Sequence, residues 1–195
     1  MLVADYEGKI IWLDVGNNFI DHEMAKKFLK ILRRFKSYGL DEITLYIRGA
    51  GGDFSSVFVM ARAMRESGLK IGCVAHDCVN SGCFMLTQAG VWVAALPKTI
   101  FGFHRACLQT EIPRKGFNAS GLAQLSGVAN LLDSIQLKYF LLRGRYVEDI
   151  FFLFCHDADI DVSQAMRLGL IDCRFSQKEF KRDRNRIYKV MRNKK

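Results

Sequence analysis

Proline is nearly absent from this sequence: two among 195 residues. Half of the residues are hydrophobic, and no internal repeat or low-complexity linker interrupts them. That excludes a disordered chain and leaves room for one domain with a sizeable core. The cysteines Cys73, Cys78, Cys83, Cys107, Cys155 and Cys173 contain no C-x-x-C pair, which argues against a zinc ribbon. Most stand among apolar neighbours, as free buried thiols do. The longest apolar run, Ile150 to Cys155, is far too short to span a bilayer. The first residues carry Asp5 and Glu7 and lack the apolar run of a secretory leader. The expectation is a reduced, cytoplasmic protein with no membrane partner.

Charge is abundant but lopsided. The net charge is +9, from 29 basic and 20 acidic residues. Much of the excess sits in a basic tail, about residues 178–195. There Lys181, Arg182, Arg184, Arg186, Lys189, Arg192, Lys194 and Lys195 face only Glu179 and Asp183. Such a tail could meet nucleic acid. No pattern of base-stacking aromatics accompanies it, so a solvated, partly frayed terminal helix is the expectation.

Along the chain, strand and helix patterns alternate. Lys9–Val15 is a short apolar strand. Asp21–Tyr38 repeats apolar residues at three- and four-residue steps, an amphipathic helix closed by Gly39. Glu42–Ile47 reads as a strand, Phe54–Ser67 as a helix, Leu69–Ala75 as a strand. Val91–Ala94 and Thr99–His104 read as strands as well. This order argues for an α/β fold with largely parallel pairing. Arg105–Gly116 is irregular. Ala119–Arg145 is a long helix, apolar almost all round, which implies burial by a partner as well as by its own domain. Val147–Cys155 and Val162–Arg167 are shorter helices on either side of the polar break His156–Asp161.

The chemistry centres on the stretch His76–Gly90, which opens polar, carries Ser81 beside Gly82, and turns apolar. A serine at the start of a buried helix suits a nucleophile, because unpaired N–H groups and the helix dipole favour negative charge there. The same serine suits an N-cap. The glycine pair Gly51-Gly52, after the strand Glu42–Ile47, lets backbone N–H groups approach a ligand and form half of an oxyanion hole. It also suits a plain strand-to-helix turn. His104 ends a strand and is the candidate base, with His22, His76 and His156 as competitors.

These residues carry a resemblance. Ile47-Arg-Gly-Ala-Gly-Gly52, then Ser81 with Ala89-Gly90 behind it, then Phe101-Gly-Phe-His104, then Asp157 ahead of Ser163-Gln-Ala-Met-Arg-Leu-Gly-Leu-Ile-Asp172, together resemble the ClpP family of serine peptidases. The likeness spans about Ile10 to Phe175. It implies a ClpP/crotonase-like fold, a repeated β-β-α superhelix with a protruding helical handle. It also implies a Ser-His-Asp triad of Ser81, His104 and Asp157, with backbone oxyanion donors at Gly52 and Gly82. Asp159 and Asp161 lie close enough in sequence to compete with Asp157. The sequence departs from the family in having Ala50 where proline is usual, and Gly82 directly after the serine rather than one residue later. Aligning on that glycine would put Asn80 in the nucleophile's place. The distances from Gly52 and to Ala89-Gly90 favour Ser81.

The implied activity is endopeptidase cleavage of unfolded polypeptides or peptides through an acyl-enzyme, with no cofactor and no metal. The implied partners are further copies of the chain in stacked rings, with seven-membered rings among the options, and an ATP-dependent unfoldase. Two other readings stand beside it. One is a non-catalytic structural or regulatory subunit of the same fold. The other is a crotonase-type acyl-CoA enzyme, which wants carboxylates near the glycine pair and has no need of Ser81 and His104.

Overall fold

The computed structural model describes residues 1–16, 18–105 and 119–193, with the backbone alone for residues 119–123. Apart from Arg105, the irregular segment expected up to Gly116 lies outside the described residues, as do Cys107, Lys194 and Lys195. The described chain is mixed α/β, with seven helices and an eight-stranded sheet.

Five strands run parallel in the order β2 (Ile10–Asp14), β3 (Glu42–Gly49), β4 (Lys70–Asn80), β5 (Trp92–Ala95) and β8 (Cys173–Arg174). An edge strand β1 (Leu2–Asp5), not expected from the sequence, pairs antiparallel with β2. The parallel part is the expected alternation, with α1 (His22–Ser37) and α2 (Phe54–Glu66) as crossovers. Their caps come from side chains. Asp21 accepts from Met24 N at 2.7 Å and Asp53 from Ser56 N at 2.8 Å. Ala25, Phe28, Ile31, Leu32 and Phe35 form the buried stripe of α1, and Gly39 ends it at φ +68°.

β4 differs most from the sequence expectation. The apolar run stops at Ala75, yet the strand continues to Asn80. Up to Ala75 it pairs with β5, and from Cys78 it pairs in parallel with β6 (Ile100–Gly102). The change of partner falls at His76-Asp77, where the register to β3 also shifts and Asp77 takes φ +59°. Local hydrophobicity could not forecast a strand whose second half leaves the partner of the first and pairs instead with β6, as Cys78 does with Ile100. β6 pairs on its other side, antiparallel, with β7 (Asp159–Asp161), which the sequence reads as a polar break.

Beneath the ends of β4 and β6 lies a phenylalanine cluster. Phe84 of α3 (Ser81–Gln88) packs tilted or edge-on with its ring centre 4.8–5.1 Å from those of Phe101, Phe103 and Phe140, all fully buried. Each such ring contributes about 1.5–3 kcal/mol by burial. Phe140 comes from α4 (Ala119–Leu141), which leads to α5 (Val147–Cys155) and, after β7, to α6 (Val162–Arg167).

The basic tail is not a solvated, frayed end over its described length. It is α7 (Gln177–Arg192), capped by Ser176, with Phe180, Asp183 and Ile187 buried on the second face of the sheet against Ile10, Trp12 and Tyr46. Tyr46 donates its hydroxyl to Asp183 at 2.6 Å, and Arg186 pairs with buried Asp5 at 2.9 Å. Burial, reinforced by the bond to Asp183, pushes the Tyr46 hydroxyl up and keeps it protonated. Part of the basic excess is therefore spent inside the fold. Among the described residues no helix is long and apolar enough to cross a membrane.

His76 lies in the same layer, 5.0 Å from the rings of both Trp12 and Phe180. Its Nδ1 is 3.2 Å from Asp77, and its buried Nε2 has no partner among the described residues. Burial lowers its proton affinity, only partly offset by Asp77. The unfolded chain then takes up a proton that the folded one refuses, so stability falls as pH drops below about 6.5, by at most about 1.4 kcal/mol per pH unit. Thermal melts between pH 8 and pH 5 should show this decline, with a shallower slope in His76→Phe. Equal slopes in both proteins would remove His76 from the account.

Candidate active site

Ser81 stands where β4 turns into α3, at φ +47°. A side-chain-bearing residue there costs about 1–2 kcal/mol of strain. The same sharp strand-to-helix turn lifts a serine hydroxyl clear of the backbone in nucleophile elbows. The cap reading of Ser81 does not fit. Asn80 occupies the N-cap position, no side chain caps the helix, and Ser81 Oγ has no hydrogen-bond partner among the described residues. No side chain caps the first turn of α3, where N–H groups have no partner within the helix.

The glycine pair is pressed against that turn. Gly51 sits at φ +105°, and a Cβ on it would lie 2.5 Å from Gly82 N and 3.2 Å from Cys83 N. No other residue fits this approach. The loop is pinned on its far side, where Ile20 N donates to Gly51 O and Asp53 N to Ile20 O, each at 2.8 Å. Gly52 N takes no part in that bridge, and a Cβ on Gly82 would lie 3.4 Å from it. The backbones of Gly52 and Gly82 thus adjoin each other beside Ser81, and Gly52 N–H has no backbone partner among the described residues. Backbone donors gathered next to one hydroxyl are what a tetrahedral oxyanion needs.

Cys83, two residues on, is no rival nucleophile. It is fully buried, and burial pushes its thiol up to about 12 despite a bond from the Gly51 backbone. Asp53, the carboxylate nearest the glycine pair in sequence, is turned onto the first turn of α2. The Ser55 hydroxyl and the Ser56 amide hold it below the usual carboxylate range. It serves as a cap, not as the free acid or base a crotonase-type site wants.

His104 follows β6. Asn80 and Gly102 are register partners, so Ser81 and His104 leave the carboxyl ends of adjacent parallel strands. Buried Gln136 of α4 donates to the His104 carbonyl at 2.8 Å and fixes its backbone. Of the competing histidines, His76 is sealed under α7. His156 bonds and stacks on Phe152 of its own helix, and His22 opens α1 at the surface.

The two aspartates that compete in sequence lie differently about His104. Asp157, at φ +48°, accepts from Arg105 N at 2.8 Å and lies 3.8 Å from the Arg105 guanidinium. Asp159, from β7, has its Oδ1 3.9 Å from His104 Nε2. That distance is too long for a hydrogen bond but close enough to attract a protonated imidazole. The structure therefore brings Asp159, rather than Asp157, to His104. Gln136 is not among the residues that the sequence reading singles out, although one amide in an otherwise apolar helix stripe is a readable signal. Among the described residues no cluster of three or more His, Cys, Asp or Glu side chains could hold a metal ion. No protein-family model matches the sequence, and no curated protein matches it.

Proposed function

We propose that this chain is a serine-type endopeptidase of ClpP-like arrangement, acting on unfolded polypeptides or peptides in the cytoplasm. The observation that supports it most is Ser81 in a left-handed turn at an uncapped helix start, with the Gly51-Gly52 backbone packed against that start. Ser81 Oγ attacks the scissile carbonyl carbon as His104 takes its proton. The new oxyanion is held by Gly52 and Gly82 N–H. His104 then protonates the leaving amine, and water, deprotonated in turn by His104, hydrolyses the acyl-enzyme and frees Ser81. Asp159 is the carboxylate that orients the imidazole and stabilises its charged form. A fluorophosphonate probe tests the reading, since only an activated serine is labelled. Mass spectrometry of the labelled peptide should place the adduct on Ser81. Full-length protein that is unlabelled at pH 8 would favour a non-catalytic subunit of the same fold.

The same reading includes assembly. α4 and α5 would form the handle, and they expose Val128 at 46%, Leu131 at 60%, Phe151 at 53% and Phe152 at 61%. Leu125 and Leu132, which the helix pattern marks for the interface, are only part exposed. We infer that these apolar faces are covered by further copies in stacked rings, with an unfoldase feeding the enclosed chamber. Sedimentation should show a large homo-oligomer. Leu131→Glu should shift it to smaller species by placing an unpaired charge in the contact. A monomer at micromolar concentration that still cleaves peptides would sink the ring and leave the serine chemistry standing.

A further inference from the structure

Asn80 is left without a task by the mechanism, and its surroundings are unusual. Asparagine at an N-cap ordinarily accepts from the first-turn amides, yet Asn80 makes no such bond. Its Oδ1 is instead buried without a partner among the described residues. The side chain is turned across the sheet onto Gly102, its register partner on β6. A Cβ on Gly102 would lie 2.8 Å from Asn80 Oδ1 and 2.8 Å from Asp159 Oδ1. One notch, open only because residue 102 is glycine, therefore holds the Asn80 amide and the carboxylate that faces His104.

We propose that Asn80 is a positioning residue for Asp159, an inference that rests on the serine-peptidase reading. A half-turn of the amide about its Cβ–Cγ bond exchanges oxygen for nitrogen. Nδ2–H then stands beside the Asp159 carboxylate as a donor, and the unpaired buried oxygen is no longer in the notch. A carboxylate held this way keeps a fixed oxygen toward the imidazole. Asn80 also adjoins Ser81 in the chain, so one residue ties the nucleophile's turn to the acid that orients the base. The charged and titratable groups around Asp159 are His104, Arg105 with its partner Asp157, and Asp161 on the same strand. After the half-turn Asn80 brings an uncharged donor to the notch beside them.

The test uses the full chain, a fluorogenic peptide and the fluorophosphonate probe. Asn80→Ala should lower kcat by about tenfold to a hundredfold with KM little changed, the ratio that one hydrogen bond to a charged group supports. Asn80→Asp keeps the shape and puts a second carboxylate in the notch. It should move the acidic limb of the kcat/KM profile to higher pH, and it carries the test if the alanine variant fails to fold. In an Asp159→Asn background, Asn80→Ala should cost little more, because the two act as a unit. The proposal is overturned if Asn80→Ala costs the same factor with and without Asp159. It is equally overturned if both Asn80 variants keep the wild-type rate and pH profile while Ser81→Ala is dead. Undiminished labelling of Ser81→Ala would instead bring down the serine reading itself.

Discussion

Ser81→Ala is expected to lower kcat for peptide cleavage by about six orders of magnitude, the scale of removing the nucleophile from a complete triad. It should also abolish fluorophosphonate labelling while leaving the fold intact. The turn offers a second, independent check. Ser81 holds φ +47°, which alanine finds as uncomfortable as serine does, so Ser81→Ala should melt within a degree or two of the wild type. Glycine has no such penalty. Ser81→Gly relieves about 1–2 kcal/mol of strain, partly offset by the greater freedom of the unfolded chain. It should therefore be as dead as the alanine variant yet more stable by up to about 1 kcal/mol. A serine that merely starts a helix would show no loss of chemistry in either variant. Retained cleavage in Ser81→Ala, above all beside an Asn80→Ala variant that is dead, would put the nucleophile elsewhere.

The second large effect separates the two aspartates. His104→Ala should cost nearly as much rate as losing the serine, because the members of such a site act together. Asp159→Asn should lower kcat by about four orders of magnitude, since the imidazole is left without its orienting charge. Asp157→Asn should stay within about tenfold of the wild type, because its carboxylate is engaged by Arg105 rather than by the imidazole. Steady-state kinetics on the three purified variants decides the matter. A dead Asp157 variant beside a healthy Asp159 variant would return the third role to the residue that the family resemblance picks out.

The two acids show why sequence reading stopped short of the site. They are two residues apart, and both lie in a stretch that reads as a polar break. What distinguishes them is the left-handed turn at Asp157 and the pairing of β7 with β6. Neither has a local signature. The crossover helices were legible because their apolar stripes are long and their ends carry Asp21, Gly39 and Asp53. The family resemblance picks out Gly52, Ser81 and His104, and each follows one of three neighbouring parallel strands, whose carboxyl ends lie side by side. In the sequence Asn80 stands out only as the residue that a shifted alignment would put in the nucleophile's place. Its turn away from the helix toward Gly102 depends on a cross-strand neighbour that no window of sequence contains. The basic tail reads as solvated because its many charges mask a sparse buried stripe of Phe180, Asp183 and Ile187.

That stripe has a consequence for how the molecule is made. α7 lies on strands from the opposite end of the chain, and the Arg186–Asp5 pair spans 181 positions. During synthesis the first strands leave the ribosome long before the helix that covers them. Until α7 arrives, the nascent sheet presents Trp12 and Tyr46 to whatever is near. Such distant closure is slow, and it exposes an apolar face to aggregation meanwhile. Delayed docking of α7 would therefore be the step at which a growing chain most needs a chaperone, with Asp5 waiting as the buried acid that Arg186 of the late helix pairs with, and Tyr46 as the hydroxyl that donates to its Asp183.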